Sequence, residues 1–352
     1  MPTPTRVVVV GCGGMANAWV KLTAQHELLE LVGLVDIRRA AAEAMADRHE
    51  LPRSLVYDTL AEAVKATGAQ AVFDVTIPAA HHDVTVEALG LGCHVLGEKP
   101  MSDSLDKARA MVAAAKKAGK LYGVTQTRRP AAFARRTTQW IKDGVIGDVQ
   151  ECHCDFYIGA RFGAPNWTDF RNKMAHPLVL DMAIHTFDQA RQMTRSDPVS
   201  VYCRTWNPRK SWYQGDASAT AIFDMVGPDG RPLVLTYRGS WTMEGMQTDW
   251  NADWRIGGEK GTLHTNGNDV VEAEVVSAEA KPGDFFRKLD KLNAPPAVKS
   301  LGGHDYMIDN FARALADGTP LECPCEDNIK SLAMVLAAVK SADSGQKVAV
   351  EW

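Results

Sequence analysis

Apolar residues in the first third of the chain fall into short unbroken runs. Longer stretches, in which apolar positions recur every three or four residues, separate them. The short runs are Val7-Val8-Val9-Val10 and residues 28–35, 71–76, 94–97 and 121–125. Runs of this length, rich in β-branched residues, suit strands buried on both faces. Residues 15–26, 39–49, 84–91 and 103–118 between them carry helical spacing. Strand and helix in regular alternation predict a doubly wound parallel sheet.

Near Gln126 the pattern changes. A helix is predicted over 132–142, closed by Asp143-Gly144. Strands then follow one another at about 149–158, 199–206, 217–225, 231–242, 252–258, 261–265 and 270–276, with one helix at 176–188. Strands without intervening helices imply a large, mostly antiparallel open sheet. The expected organisation is an α/β domain over 1–125 and an α+β domain over 126–352. Residues 281–303, rich in proline and glycine, read as a loop around a short amphipathic helix at 285–292, a lid or an oligomer contact. Helices at 304–315 and 327–342, stopped by Asp317-Gly318 and Ser344-Gly345, close the chain, and the last is expected to pack back towards the first domain. One face of so wide a sheet would expose apolar surface if left uncovered, so a homodimer or homotetramer through that sheet is expected. Trp206, Trp212, Trp241, Trp250 and Trp254 fit core or interface packing better than a sugar-lined pocket.

Bulk properties narrow the partners. The 352 residues carry a net charge of -4, which gives no electrostatic case for nucleic acid. No stretch reaches the ~18 apolar residues of a membrane span. The N-terminal residues lack a signal-like pattern, so a cytoplasmic location is expected. The seven cysteines, odd in number and sparsely spaced, read as reduced thiols. Cys152-His153-Cys154 sits in a strand pattern with no second ligand pair nearby, and Cys323-Pro324-Cys325 reads the same way, so no metal site is expected.

The valine run leads directly into Gly11-Cys12-Gly13-Gly14-Met15-Ala16. This is G-x-G-x-x-A between a strand and a helix, the fingerprint of a Rossmann dinucleotide site. Asp36 ends the second strand about twenty residues on, where a carboxylate accepts the ribose hydroxyls of NAD. Arg38 and Arg39 follow and leave NADP open, since a guanidinium there pairs with a 2′-phosphate. Thr76-Ile77-Pro78 with His82, and Glu98-Lys99-Pro100, also fall at strand ends on the ligand-binding rim. Lys99, fixed by the proline and tuned by Glu98, is suited to hold an alkoxide oxygen. In the second domain Asp181 and His185, four apart on one helix, pair an orienting carboxylate with a proton-exchanging imidazole. His176 and Asp188 are secondary candidates.

Together these motifs resemble the Gfo/Idh/MocA oxidoreductases, sugar and cyclitol dehydrogenases. The likeness runs from Gly11–Ala16 through Glu98-Lys99-Pro100, Arg128-Arg129 and Asp181-x-x-x-His185 to Glu326-Asp327-Asn328, essentially the whole chain. It implies a catalytic group of Lys99, Asp181 and His185, with Lys99 or His185 as the base. It also implies substrate contacts from Lys99, Arg128, Trp167, Arg171, Asp181 and His185. The implied reaction is hydride transfer between NAD(P) and a secondary hydroxyl or ketone of a sugar, glycoside or cyclitol. An NAD-dependent glycosidase or a non-catalytic NAD(P)-responsive regulator is the alternative. Many members have a glycine-rich stretch where this chain has His176-Pro177-Leu178-Val179-Leu180, so the resemblance defines the chemistry better than the substrate.

Overall fold

The computed structural model describes residues 3–297 and 301–352. Residues 298–300, part of the loop expected over 281–303, lie outside the described residues. The chain divides into one unit of residues 1–127, 301–332 and 352, and another of 128–300 and 333–351.

The first unit is built as strand, helix, strand. It contains β1 (Thr5–Val10), α1 (Ala16–Gln25), β2 (Leu29–Val35), α2 (Arg39–Arg48), β3 (Val56–Tyr57) and α3 (Leu60–Thr67). It continues through β4 (Ala71–Asp74), α4 (Pro78–Gly90), β5 (His94–Gly97), α5 (Leu105–Ala118) and β6 (Tyr122–Val124). The strands form one parallel sheet in the order β3-β2-β1-β4-β5-β6. The valines of β1 are fully buried or nearly so, because β2 and β4 flank the strand and helices cover both faces. Each such valine contributes about 1.5–3 kcal/mol relative to exposure. Thr59 and Ser104 cap α3 and α5 by accepting the amides of Glu62 and Lys107. α4 starts at Pro78, six residues before the expected start, with the proline at the first helical position.

The second unit begins with α6 (Ala132–Lys142) and β7 (Val149–Tyr157). After α7 (Ile184–Thr194) come β8 (Asp197–Trp206), β9 (Ser218–Val226), β10 (Pro232–Ser240), β11 (Asp253–Gly258), β12 (Gly261–Thr265), β13 (Val271–Val276) and β14 (Leu289–Asn293). α8 (Gly303–Asp317) groups with the first unit, where Ile308, Phe311 and Ala312 join the core around Val7, Trp19 and Phe73. α9 (Cys325–Ser344) and β15 (Val348–Ala349) complete the chain. The second sheet has nine strands in the order β14-β13-β12-β11-β7-β10-β9-β8-β15. Only the β7–β10 pair is parallel among the described ladders.

Alternation gives this sheet two faces. Cys152, Cys154, Phe156, Phe223 and Tyr237 face the core, where Phe187 of α7 packs edge-on against Phe223 and Tyr237. Glu272, His264, Arg255, His153, Thr236, Ile222 and Tyr202 lie side by side on the opposite face, one from each of seven adjacent strands. Trp241 and Trp254 are buried, whereas Trp206 and Trp250 remain substantially exposed.

Two expectations fail here. Residues 285–292 are not helical: Leu289–Asn293 forms edge strand β14. Pairing with β13 in register, with Lys291 3.1 Å from Glu274, satisfies the backbone on one side. Phe285 and Phe286 stay exposed and pack edge-on against each other, so no helical apolar face is buried. The helix expected over 176–188 opens instead as a π-helical segment, Leu178–Ala183, before continuing as α7 to Thr194.

Candidate cofactor and active site

The turn after β1 needs glycine at one position for the protein's own sake. Gly11 has φ +91°, and a Cβ there would lie 2.7 Å from the Val75 carbonyl. At Gly13 and Gly14 a Cβ would meet no protein atom within 4 Å. Those two glycines therefore face open space beside the start of α1. α1 has neither a side-chain cap nor an acidic residue in its first turn, so nothing there opposes an anion at the helix start. Ala16 is fully buried under the turn, and Met15 is half-exposed. This arrangement fits the pyrophosphate of a dinucleotide.

Asp36 ties the second strand to that turn. One carboxylate oxygen accepts the Cys12 amide and the other the Arg38 amide, both at 2.8 Å. Arg38 itself points outward, with its guanidinium 3.8 Å from Asp36 and largely exposed. Burial, reinforced by Asp36, pushes the Cys12 thiol up to about 12, so it stays protonated in the turn.

At the end of β4 two adjacent histidines have different surroundings. His82 is partly exposed and pairs with its neighbour Asp83 at 2.7 Å. His81 is the buried one, 3.0 Å from Asp74. Asp74 also accepts the Thr76 hydroxyl at 2.6 Å, the Thr76 amide at 3.2 Å and the Thr85 hydroxyl at 3.2 Å. The Thr76-Ile77-Pro78 bend that abuts Gly11 is thus held from beneath, with Ile77 exposed above.

Glu98 is buried at the end of β5. It receives the Trp19 indole at 2.9 Å, lies 2.7 Å from His304 Nε2, and accepts the Lys99 amide at 3.1 Å. Burial alone would raise its pKa, but His304, Trp19 and Lys99 outweigh that and hold it below the usual carboxylate value. Its hydrogen-bonded grip on Lys99 is through the main chain. The Lys99–Pro100 peptide is cis.

The second unit holds the other candidates. Asp181 lies on the π-helical segment, a feature that recurs at functional sites. Arg171 Nε meets its carboxylate at 2.6 Å, and Arg171 Nη1 reaches Asp169 at 3.2 Å. The same guanidinium lies 4.7 Å from the Phe162 ring centre and 4.4 Å from that of Phe170. Burial opposes the charge of Arg171, but Asp181 and Asp169 overcome it and raise its pKa. His185 is buried in the first turn of α7. Arg128 donates to the Met182 sulfur at 3.3 Å, and burial drags its pKa down to about 10. Trp167, with φ +53°, stacks on Trp212 at 6.4 Å, and Arg161 lies 4.2 Å above the Trp212 ring.

The two secondary candidates have structural partners. Asp188 makes a buried two-point pair with Arg129, both contacts 2.7 Å. His176 lies 3.1 Å from Asp343 and 3.3 Å from the Thr205 hydroxyl. The sequence reading missed Asp74, His81, Trp19, His304 and Asp169. Only Asp74 and His81 carried a local signal, a carboxylate and a histidine flanking a strand-end bend.

Lys99 and the cofactor candidates thus belong to the first unit, and Arg128, Trp167, Arg171, Asp181 and His185 to the second. All seven cysteines are buried and none is in a disulfide. The described residues hold no cluster suited to a metal ion, and no described helix is long and apolar enough to cross a membrane.

Comparison with known proteins gives the same picture. Residues 5–126 match the oxidoreductase family with NAD-binding Rossmann fold, and residues 134–264 match the GFO/IDH/MocA C-terminal domain. The chain is 24% identical to 1,5-anhydro-D-fructose reductase of Ensifer adhaerens, over 97% of this chain and 98% of that one. It is 25% identical to inositol 2-dehydrogenase of an Arthrobacter species, over 100% and 97%. A crystal structure of an oxidoreductase from Agrobacterium radiobacter in complex with NAD+, L-tartaric acid and magnesium superposes with a TM-score of 0.81, at 20% identity over 99% of each chain.

Proposed function

Because the chain belongs to the GFO/IDH/MocA oxidoreductase family, whose N-terminal domain binds NAD, we propose that it transfers hydride between NAD and a secondary hydroxyl or ketone of a sugar, glycoside or cyclitol. The observation that carries this reading is Lys99. It stands at the end of β5, on the same sheet rim as the glycine turn, with its backbone held by a buried carboxylate. The relatives that reduce anhydrofructose or oxidise inositol support a polyol substrate.

When bound, the nicotinamide accepts or returns hydride at C4. Lys99 donates a hydrogen bond to the reacting oxygen and stabilises its alkoxide character. His185 takes or returns the hydroxyl proton, with Lys99 the other candidate base. Asp181, fixed by Arg171, orients the proton-transfer group, and Arg128, Arg171 and Trp167 contact the substrate. Asp36 favours NAD over NADP, since its carboxylate would repel a 2′-phosphate.

Absorbance at 340 nm, followed against a panel of sugars, glycosides, inositols and sugar acids, tests the reading. Net NADH formation supports it. Glycoside cleavage without net change indicates an NAD-dependent glycosidase, and binding without turnover a regulator. Lys99→Ala and His185→Ala should each lower turnover about 100- to 10,000-fold. If both turn over like the wild type with cofactor bound, the assignment is wrong.

We also assign homo-oligomer formation to the outer face of the nine-stranded sheet, where Tyr202, Trp206, Ile222 and Val234 are exposed. Ile222→Lys should lower the mass measured by light scattering. Seven buried cysteines outside any disulfide fit a reducing, cytoplasmic setting, which fractionation would test.

A further inference from the structure

Glu98 is a buried carboxylate whose two oxygens do different jobs. Oε1 is taken by two groups from distant parts of the chain, the Trp19 indole at 2.9 Å and His304 Nε2 at 2.7 Å. Oε2 accepts the backbone amide of Lys99 at 3.1 Å. A carboxylate is planar and rigid, so whatever sets Oε1 also sets Oε2.

Trp19 has no freedom to adjust. It is fully buried and packs edge-on against Phe73 at 5.2 Å and against the His304 ring at 5.8 Å. It also sits on α1, the helix whose start borders the glycine turn. His304 is the adjustable member. It opens α8, is partly exposed, and approaches Glu98 from 206 residues further along the chain. Nothing in the chemistry proposed above requires a histidine there. This partly exposed position could have carried an apolar side chain, with a neutral residue in place of Glu98, and no buried charge would then need a partner.

We propose that His304 is a positioning residue for Lys99, acting through Glu98. It fixes the carboxylate that holds the lysine backbone, so the pose of the amine depends on a side chain that does not touch the reacting atoms. This rests on the reading of Lys99 as the residue that holds the substrate oxygen. Carboxylate–lysine contact at a strand end was visible in the sequence, but its second anchor was not.

The two amide side chains separate the ideas. Glutamine places an N–H near the position of histidine Nε2, whereas asparagine reaches only as far as Nδ1. Both are polar and close in size, so both variants should fold, as checked by circular dichroism and thermal melting. The first readout is independent of turnover: trace acetylation of Lys99, quantified by mass spectrometry relative to Lys65 on the same protein. His304→Asn should change the Lys99 to Lys65 labelling ratio about threefold or more, and His304→Gln should leave it near the wild type. Glu98→Gln should reproduce the change seen in His304→Asn.

The second readout uses whichever substrate the panel yields. His304→Asn should lower kcat about 10- to 100-fold with the NAD dissociation constant unchanged, and His304→Gln should recover most of it. Equal Lys99 labelling in wild type and His304→Asn, in folded protein, overturns the proposal. So does a change common to His304→Asn and His304→Gln that tracks only a lower melting temperature. If no substrate turns over, the functional reading fails, while the labelling result still decides the role of His304.

Discussion

His81 Nδ1 lies 3.0 Å from Asp74 Oδ1, and both side chains are all but sealed from solvent. Asp74 spends its remaining capacity on Thr76 and Thr85. A buried carboxylate at the end of a central strand is costly unless its partners are complete. The pair therefore stabilises the bend at Thr76 only as a unit. His81→Leu alone should destabilise the protein by about 1–3 kcal/mol, because it removes one partner of a buried carboxylate and leaves it only Thr76 and Thr85. Asp74→Leu combined with His81→Leu should recover much of that loss. Urea unfolding of the two single variants and the double variant measures the coupling. Strict additivity would show that the pair is not a unit.

The glycine turn separates folding from binding. Gly11→Ala should unfold or strongly destabilise the first unit, because φ +91° and the Val75 carbonyl both oppose a side chain. Gly13→Ala and Gly14→Ala meet no protein atom, so their melting temperatures should match the wild type. Each should weaken NAD binding about tenfold or more by filling the space left for the pyrophosphate. Titration of intrinsic fluorescence with NAD checks this. Wild-type affinity in both variants would move the pyrophosphate away from the turn.

The outer face of the large sheet should respond to pH through His264. Partial burial would lower its pKa, but Glu272 and Asp253, each 3.0 Å away, outweigh that and raise it. Arg255 lies beside it in register. A histidine that binds its proton more tightly when folded contributes stability in full below its unfolded pKa. That stability fades as pH rises through the higher folded value. The melting-temperature gap between wild type and His264→Gln should be widest near pH ~5.5 and narrow towards pH ~8.5. A gap that widens with pH would contradict the assignment of the two carboxylates as its partners.

How much the sequence revealed follows from the range of each interaction. Val7–Val10 and Gly11–Ala16 were legible because strand, turn and helix lie within one short segment. Asp36 was legible because the β-α-β unit fixes its spacing. Glu98 was found, but its partners Trp19 and His304 were not, since they converge from opposite ends of the chain. Residues 285–292 were misread because Phe285, Phe286, Leu289 and Leu292 fit a helical stripe, and only pairing with β13 decides for a strand. Asp181 and His185 were expected to be neighbours on an α-helix. The structure places Asp181 on a π-helical segment and His185 in the α-helix that follows it, a difference that leaves no mark in the spacing. Arg171 was chosen as a substrate contact, yet its strongest visible partners are protein carboxylates.

Arg171 holds Asp181 and Asp169 together and lies against Phe162 and Phe170, so it is suited first to fixing the Asp181 carboxylate. Arg171→Lys keeps the charge but loses the planar fork that serves both carboxylates and stacks on both rings. If Arg171 acts by positioning Asp181, Arg171→Lys and Asp181→Asn should each lower kcat, by about 10- to 100-fold, with little change in substrate KM. Their double variant should then be no worse than the poorer single one. If Arg171 mainly grips substrate, Arg171→Lys should instead raise KM with kcat retained, and the losses should multiply in the double variant. Steady-state kinetics of the three variants separates these outcomes. NAD titration checks that the cofactor still binds, since none of these residues lies in the NAD-binding unit.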